Sequence, residues 1–234
     1  MKNKYFFRIA LILFTILVPT FGYSTTYYSI ASTGWTTPST WSTVSCGGAA
    51  AITTPGIGDD VVICVGTTVL MNGSGVTCNS LTIDGTANWT SVLTTNVGAG
   101  GITINPGANV TGSVAGVLTT TGGLVLNSTL TSTTVIIRTI TNAGQTITGT
   151  GSLGRLDISI NTNNNGTITV TTALSSTVAS TLTQSATATL RYNGTAAIAP
   201  TLDASAAGNT VMYGGVNQPV KSTTYHHLTI AGSG

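Results

Sequence analysis

The sequence predicts an all-β protein wound as a parallel β-helix or a similar β-solenoid. Three observations predict it: apolar positions recur at a step of about 21 residues, a threonine column runs beside them, and helix-forming residues are scarce. The step shows first in two phrases, "LTIDGTANWT" at residues 81–90 and "ITINPGANVT" at residues 102–111, which align Ile83 with Ile104. The series reads Ile63, Ile83, Ile104, Leu126, Ile147, Ile168, Leu190, Val211 and Ile230. From Ile83 onward the preceding residues are Thr82, Thr103, Val125, Thr146, Thr167, Thr189, Thr210 and Thr229. Seven of these eight are Thr, where 49 Thr in 234 residues predicts fewer than two by chance. Side chains alternate across a strand, so an inward Ile places the preceding Thr outside. Coils stacked at roughly 4.8 Å would then pile Ile on Ile within and Thr on Thr without. Each buried aliphatic side chain contributes roughly 1.5–3 kcal/mol before chain entropy is subtracted.

Composition supports extended backbone throughout. Thr, Val and Ile are branched at Cβ, which suits a pleated surface and costs a helix rotamer freedom. The chain has no Glu, and Lys221 is its only Lys after residue 4. Turn signals fall where corners are needed, including "MNGSG" at 71–75, "NPGA" at 105–108, "TTGG" at 120–123 and "NTNNNG" at 161–166. Gly and Asn tolerate the left-handed backbone of tight corners. The Asn run at 161–166 suggests a side-chain amide stack at one corner. A β-sandwich, the alternative, uses similar strands and turns but needs neither a constant step nor a one-residue column.

The organisation reads as a signal peptide over residues 1–24, an N-terminal cap over 25–60 and solenoid coils over 61–234. Lys2, Lys4 and Arg8 flank an apolar run at residues 9–18, and Gly22 and Ser24 supply the small residues of a cleavage site. That run is short for a bilayer span and none longer follows, so the mature chain is expected to lack a transmembrane segment. The protein is therefore expected to be secreted or held on the outer cell surface. The chain stops in the phrase "LTIAGSG", which suggests a piece of a longer polypeptide or a frayed last coil. Without the leader, four cations (Arg138, Arg155, Arg191, Lys221) face five aspartates (Asp59, Asp60, Asp84, Asp157, Asp203), so 4 − 5 gives −1. Such a chain cannot neutralise a row of phosphates, and nucleic acid is not an expected partner. Of the three cysteines, Cys46 and Cys64 are the favoured disulfide, with Cys78 left over. Their spacing makes a poor zinc site, and no metal or cofactor is expected.

Residues able to carry chemistry are few. Glycoside hydrolysis asks for two carboxyl groups facing one bond, and the five Asp fall in different positions of the repeat. Asp59 and Asp60 adjoin at a turn, where a polar turn is favoured over calcium binding. Arg155 and Asp157, two apart, would share a strand face as a surface ion pair. His226 and His227 are adjacent, so on a strand they would point to opposite sides and chelate poorly. No Gly-x-Ser-x-Gly phrase occurs. Catalysis is disfavoured. Trp35 and Trp41, with Tyr27 and Tyr28, are the candidate ligand-binding rings for sugar stacking, although burial as the core of the cap ranks above that role. The Thr column invites an ice-binding reading, but the residues following the inward positions (Asp84, Asn105, Asn127, Thr148, Thr169, Arg191, Met212) do not form a second matched column.

The opening segment carries Trp35, Pro38 and Trp41, then "PGIGDDV" at 55–61, then "LTI" at 81–83. The last residues read "YHHLTIAGSG". These phrases resemble large secreted Thr/Gly-rich β-solenoid repeat proteins of gliding and related Gram-negative bacteria. The opening is also similar to the eight-glycine extracellular domain of animal cell-surface proteins. The resemblance implies export across the outer membrane, often by type IX secretion, and a role in adhesion or surface coating. Expected partners are then surface glycans or other extracellular surfaces. The expected function is a non-catalytic structural or adhesive surface protein; a carbohydrate-binding or carbohydrate-active β-helix ranks second and an ice-binding solenoid third.

Overall fold

The computed structural model describes residues 24–73 and 75–232, so the expected signal peptide lies almost wholly outside the described residues. Helix is confined to one 3-10 turn, Pro38–Thr40, among the described residues. Nearly every other element is a short strand hydrogen-bonded in parallel to the strand one coil later. The result is a β-solenoid of about eight turns.

Each coil visits three strand positions in turn, here called faces A, B and C. Face A stacks strand Asp60–Ile63, then residues 80–83, 101–104, Leu124–Leu126, Gln145–Thr148, Thr162–Asn164, Thr181–Gln184 and Thr201–Asp203. Face B begins with Thr68–Leu70, Thr86–Trp89 and Asn109–Gly112, and its later part holds residues 150–153, 167–170, Thr189–Tyr192, Thr210–Tyr213 and His227–Ile230. Face C stacks residues 77–78, 94–97, Val117–Thr120, Ile136–Thr139, 155–158 and 173–175. Alternating side chains from all three faces meet in one continuous core. On face A the register stacks Val61, Leu81, Ile102, Leu124 and Ile147, beside Ile63, Ile83, Ile104 and Leu126. Face C supplies Leu118, Ile137, Leu156 and Leu174.

The single apolar column expected from the sequence is two ladders on different faces. Ile147 sits over Leu124 rather than Leu126, and the next residue in its row is Asn164, not Ile168. Ile168, Leu190 and Val211 form a ladder on face B, continued by Leu228, while Ile230 lies over Tyr213. The reason is coil length. Ile63, Ile83, Ile104 and Leu126 follow at steps of 20, 21 and 22 residues, but Ile147 to Asn164 takes only 17. A 21-residue step from Ile147 therefore overshoots onto the next face. Gly149 makes the short coil possible: one residue turns the chain from Thr148 to Thr150 at φ +90°, and a Cβ there would lie 2.5 Å from the Leu126 carbonyl oxygen.

The Thr column divides in the same way. Thr82 and Thr103 are neighbours on face A, and Thr167, Thr189 and Thr210 on face B. Thr146 pairs with Asn163, and Thr229 with Met212. The amide contact at the Asn run is an inward pair between strands rather than a stack at a corner: Asn164 Nδ2 donates to Gln184 Oε1 at 2.8 Å, both side chains being buried.

The first described residues close the stack. Strand Thr26–Ser29 runs parallel to Asp60–Ile63 and antiparallel to Trp41–Ser42, so the chain folds back over the first edge. Asp59 and Asp60 fasten this lid. Asp59 accepts the backbone N–H groups of Thr25 and Gly56, and Asp60 accepts from Ser24, Asn79 and Ser80. A disulfide joins Cys46 to Cys64 across 18 residues, with Cα atoms 5.9 Å apart.

Two predictions follow from the lid. Replacing Cys46 and Cys64 together by Ser should lower unfolding free energy by about 3 kcal/mol, the cost of freeing a loop of that length, as measured by urea titration of oxidised protein. At Asp60, burial raises the pKa, but hydrogen bonds from Ser80, Asn79 and Ser24 outweigh it and leave it lowered. A carboxyl whose folded pKa lies below its unfolded one stabilises above the unfolded value and loses that contribution as pH falls through the folded value. The difference in melting temperature between the wild type and Asp60→Asn should thus be present at neutral pH and shrink on acidification.

Candidate functional site

The outer surface of face B gathers the hydroxyls. In register across successive coils stand Thr150, Thr167, Thr189 and Thr210, and two residues along each strand stand Ser152, Thr169, Arg191 and Met212. The strands place like groups about 4.8 Å apart along the stack and about 7 Å apart along the chain. Branched Thr is favoured at such half-exposed strand positions, which is why the local sequence "GTITVTT" at 166–172 both forms the strand and decorates it.

Over this surface lies an open groove of about 390 Å³, whose walls include Thr129, Thr167, Thr169, Thr171, Arg191 and Asn193. Its lining carries hydroxyl, amide and guanidinium groups and no carboxylate, imidazole or thiol. Arg191 is exposed, and its Nε donates to Asn193 Oδ1 at 3.1 Å. A site of this composition can hydrogen-bond a polyhydroxylated molecule and attract an anion. It holds no pair of titratable groups for proton transfer. Among the described residues no group of three or more His, Cys, Asp or Glu is placed to hold a metal ion.

The rings singled out from the sequence are not part of this groove. Trp35 and Trp41 are 2% and 0% exposed and meet edge to face at 5.0 Å, and Trp41 Nε1 donates to the Trp35 carbonyl at 2.8 Å. Tyr27 is buried and shares a hydrogen bond with Thr53; Tyr28 is half-buried. Trp35, Trp41 and Tyr27 are therefore closed to a stacking sugar, because the lid needs their apolar area as its own core. Beside Thr150, Thr167, Thr189 and Thr210, the next outward row begins with Ser152 and Thr169 and continues into Arg191 and Met212.

The remaining reactive groups are occupied elsewhere. The Cys78 thiol is buried and its pKa is pushed up to about 12, by burial first and then by the charges of Asp60 and Asp59, which keeps it protonated and inert. The His226 and His227 rings do not diverge as expected but meet edge to face at 4.2 Å, because His226 precedes the last strand rather than lying in it. His226 Nδ1 accepts the Gly208 N–H. Asp157 pairs with Arg138 one coil earlier, Nη2 to Oδ2 at 3.2 Å, and not with Arg155 as its spacing suggested. The register places Arg138 directly beside Asp157, whereas Arg155 lies in the row of Ile136 and Ala173. Ser159 donates to the other Asp157 oxygen at 2.5 Å.

Arg191 and Asn193 are groove-lining residues that sequence reasoning did not single out as a candidate site. Their signal was present, since Arg191 interrupts an otherwise hydroxyl-rich column, but it counted only against an ice-binding array. Comparison with family models, with curated proteins and with solved structures finds no match to the chain.

Because Asp157 has a side chain only 3% exposed, removing its partner should be felt. Arg138→Met is expected to destabilise the protein by about 1–3 kcal/mol, and Arg138→Met with Asp157→Leu to recover much of that loss, a coupling read from a double-mutant cycle of urea unfolding.

Proposed function

We propose that this chain is a secreted or cell-surface structural and adhesive repeat protein, which holds extracellular glycans or other surfaces through face B and does not turn them over. The observation that carries this reading is the face B groove, where hydroxyls from successive coils converge with Arg191 and Asn193. Several features support it. A solenoid repeats the same outer positions at a fixed rise, so contacts with an extended or repeating surface accumulate. The Cys46–Cys64 disulfide suits an oxidising compartment. Low net charge and abundant hydroxyls favour hydrated, hydrogen-bonding contacts along most of the surface. Carbohydrate binding is part of the same reading, because sugar hydroxyls are the natural counterpart of a Thr, Ser and Asn lining.

The test is retention of protein-coated beads on an array of neutral and acidic glycans under flow, with reducing ends assayed in the wash. Retention without new reducing ends is the expected result. Release of new reducing ends would overturn the non-catalytic reading, and absence of retention on every surface would overturn the adhesive one.

A further inference from the structure

We infer that the face B groove takes an anionic saccharide, with a carboxylate or sulfate held at Arg191 and sugar hydroxyls on the Thr and Ser rows. This rests on the adhesive reading above and names the ligand class of the same site. Charge supports it first. Arg191 is the one cation in the groove lining, and no carboxylate shares that lining. The chain commits other cations elsewhere: Arg138 pairs with Asp157, and Lys221 Nζ donates to the carbonyls of Ile198 and Ala199 at 3.1 and 3.3 Å. Arg155 makes no such bond among the described residues but lies outside the groove lining, which leaves Arg191 as the cation available there. Asn193 Oδ1 accepts from Nε, while the two terminal amino groups have no acceptor among the described residues. Guanidinium presents a rigid planar fork, so fixing it at Nε leaves the terminal pair aligned for two parallel hydrogen bonds to an oxyanion.

Space supports it next. The neighbour of Asn193 one coil later is Gly214, where a Cβ would lie 3.2 Å from Nε and 3.3 Å from Nη2. That Cβ would fall closer still to Asn193 Oδ1, so glycine makes room for the Asn193–Arg191 contact that fixes the guanidinium. The hydroxyl rows supply the third argument. Thr129, Ser152 and Thr169 follow in register on successive coils, leading directly to Arg191. Their rise of about 4.8 Å is close to the length of one pyranose ring, so a glycan lying along the stack meets a fresh hydroxyl with each sugar. A polyphosphate ligand would instead need a row of cations, which this face does not have.

The experiment is biolayer interferometry of the purified protein against immobilised polygalacturonate, dextran sulfate and dextran. Binding to at least one charged polymer at low salt should exceed binding to dextran by roughly fivefold, and Arg191→Gln should remove most of that difference. Arg155→Gln makes the same change in net charge outside the groove lining and should stay within about twofold of wild type. Preference for polygalacturonate assigns the carboxylate, preference for dextran sulfate assigns the sulfate, and equal binding assigns the anion alone. Two outcomes would sink the inference while leaving the adhesive reading intact: dextran binding as tightly as the charged polymers, or Arg155→Gln losing as much as Arg191→Gln. Failure to bind all three polymers overturns the inference, and failure on the bead array as well overturns the adhesive reading with it. Melting temperatures of both variants should match the wild type, since both side chains reach solvent.

Discussion

Register between parallel strands is the constraint on which the rest of this molecule depends. A strand in a coil finds its hydrogen-bonding partners only in the coils above and below, so each coil must return the same face to the same height. Where strands differ in phase by one residue, every side chain changes sides, and an inward Leu would become an outward one. The chain therefore keeps its strands in step and lets the corners absorb variation in length. Steps of 20, 21 and 22 residues on the first part of face A become 17 at the coil from Ile147 to Asn164, yet the ladder of buried side chains runs through without a break.

That division of labour explains what the sequence made legible. Strand, turn and stacked coil were all readable, because inward positions select large aliphatic residues and do so at nearly constant intervals. Ile63, Ile83, Ile104 and Leu126 are a true ladder, and so are Ile168, Leu190 and Val211. What could not be read was that a shortened coil separates them. A corner reduced to Gly149 removes residues without removing an apolar position, so the count continued smoothly onto the wrong face. Two-residue periodicity makes the error hard to see, since face A and face B offer the same Thr-then-Ile phrase.

Contacts between side chains of neighbouring coils were less legible still. Asp157 with Arg138, and Asn164 with Gln184, are separated by 19 and 20 residues, about one coil. Local spacing instead suggests Arg155 for Asp157, two residues away on the same strand. In a solenoid the nearest neighbour on an outer or inner row is normally a coil away, because the rise between strands is shorter than the two-residue repeat along one. Polar residues that look isolated in the sequence thus become partners once the coil length is known. The same rule assembled the groove, whose walls come from residues as far apart as Thr129 and Asn193.

The groove also bears on how such a protein could hold anything firmly. Arg191 lies in solvent, where one ion pair contributes about 0–1 kcal/mol and is further screened by salt. Each Thr hydroxyl exchanges a hydrogen bond to water for one to a ligand, a net gain of similar size. A single open groove of this kind binds weakly on its own. Weakness at one site is compatible with strong attachment when many copies face one polymer, because each bond formed raises the effective concentration for the next. The rigid stack contributes here by fixing where each hydroxyl row stands, so little ordering entropy is lost on contact. An adhesive of the kind proposed would rely on repetition and geometry, because a chain with only four Lys and Arg after residue 8 has little charge to use.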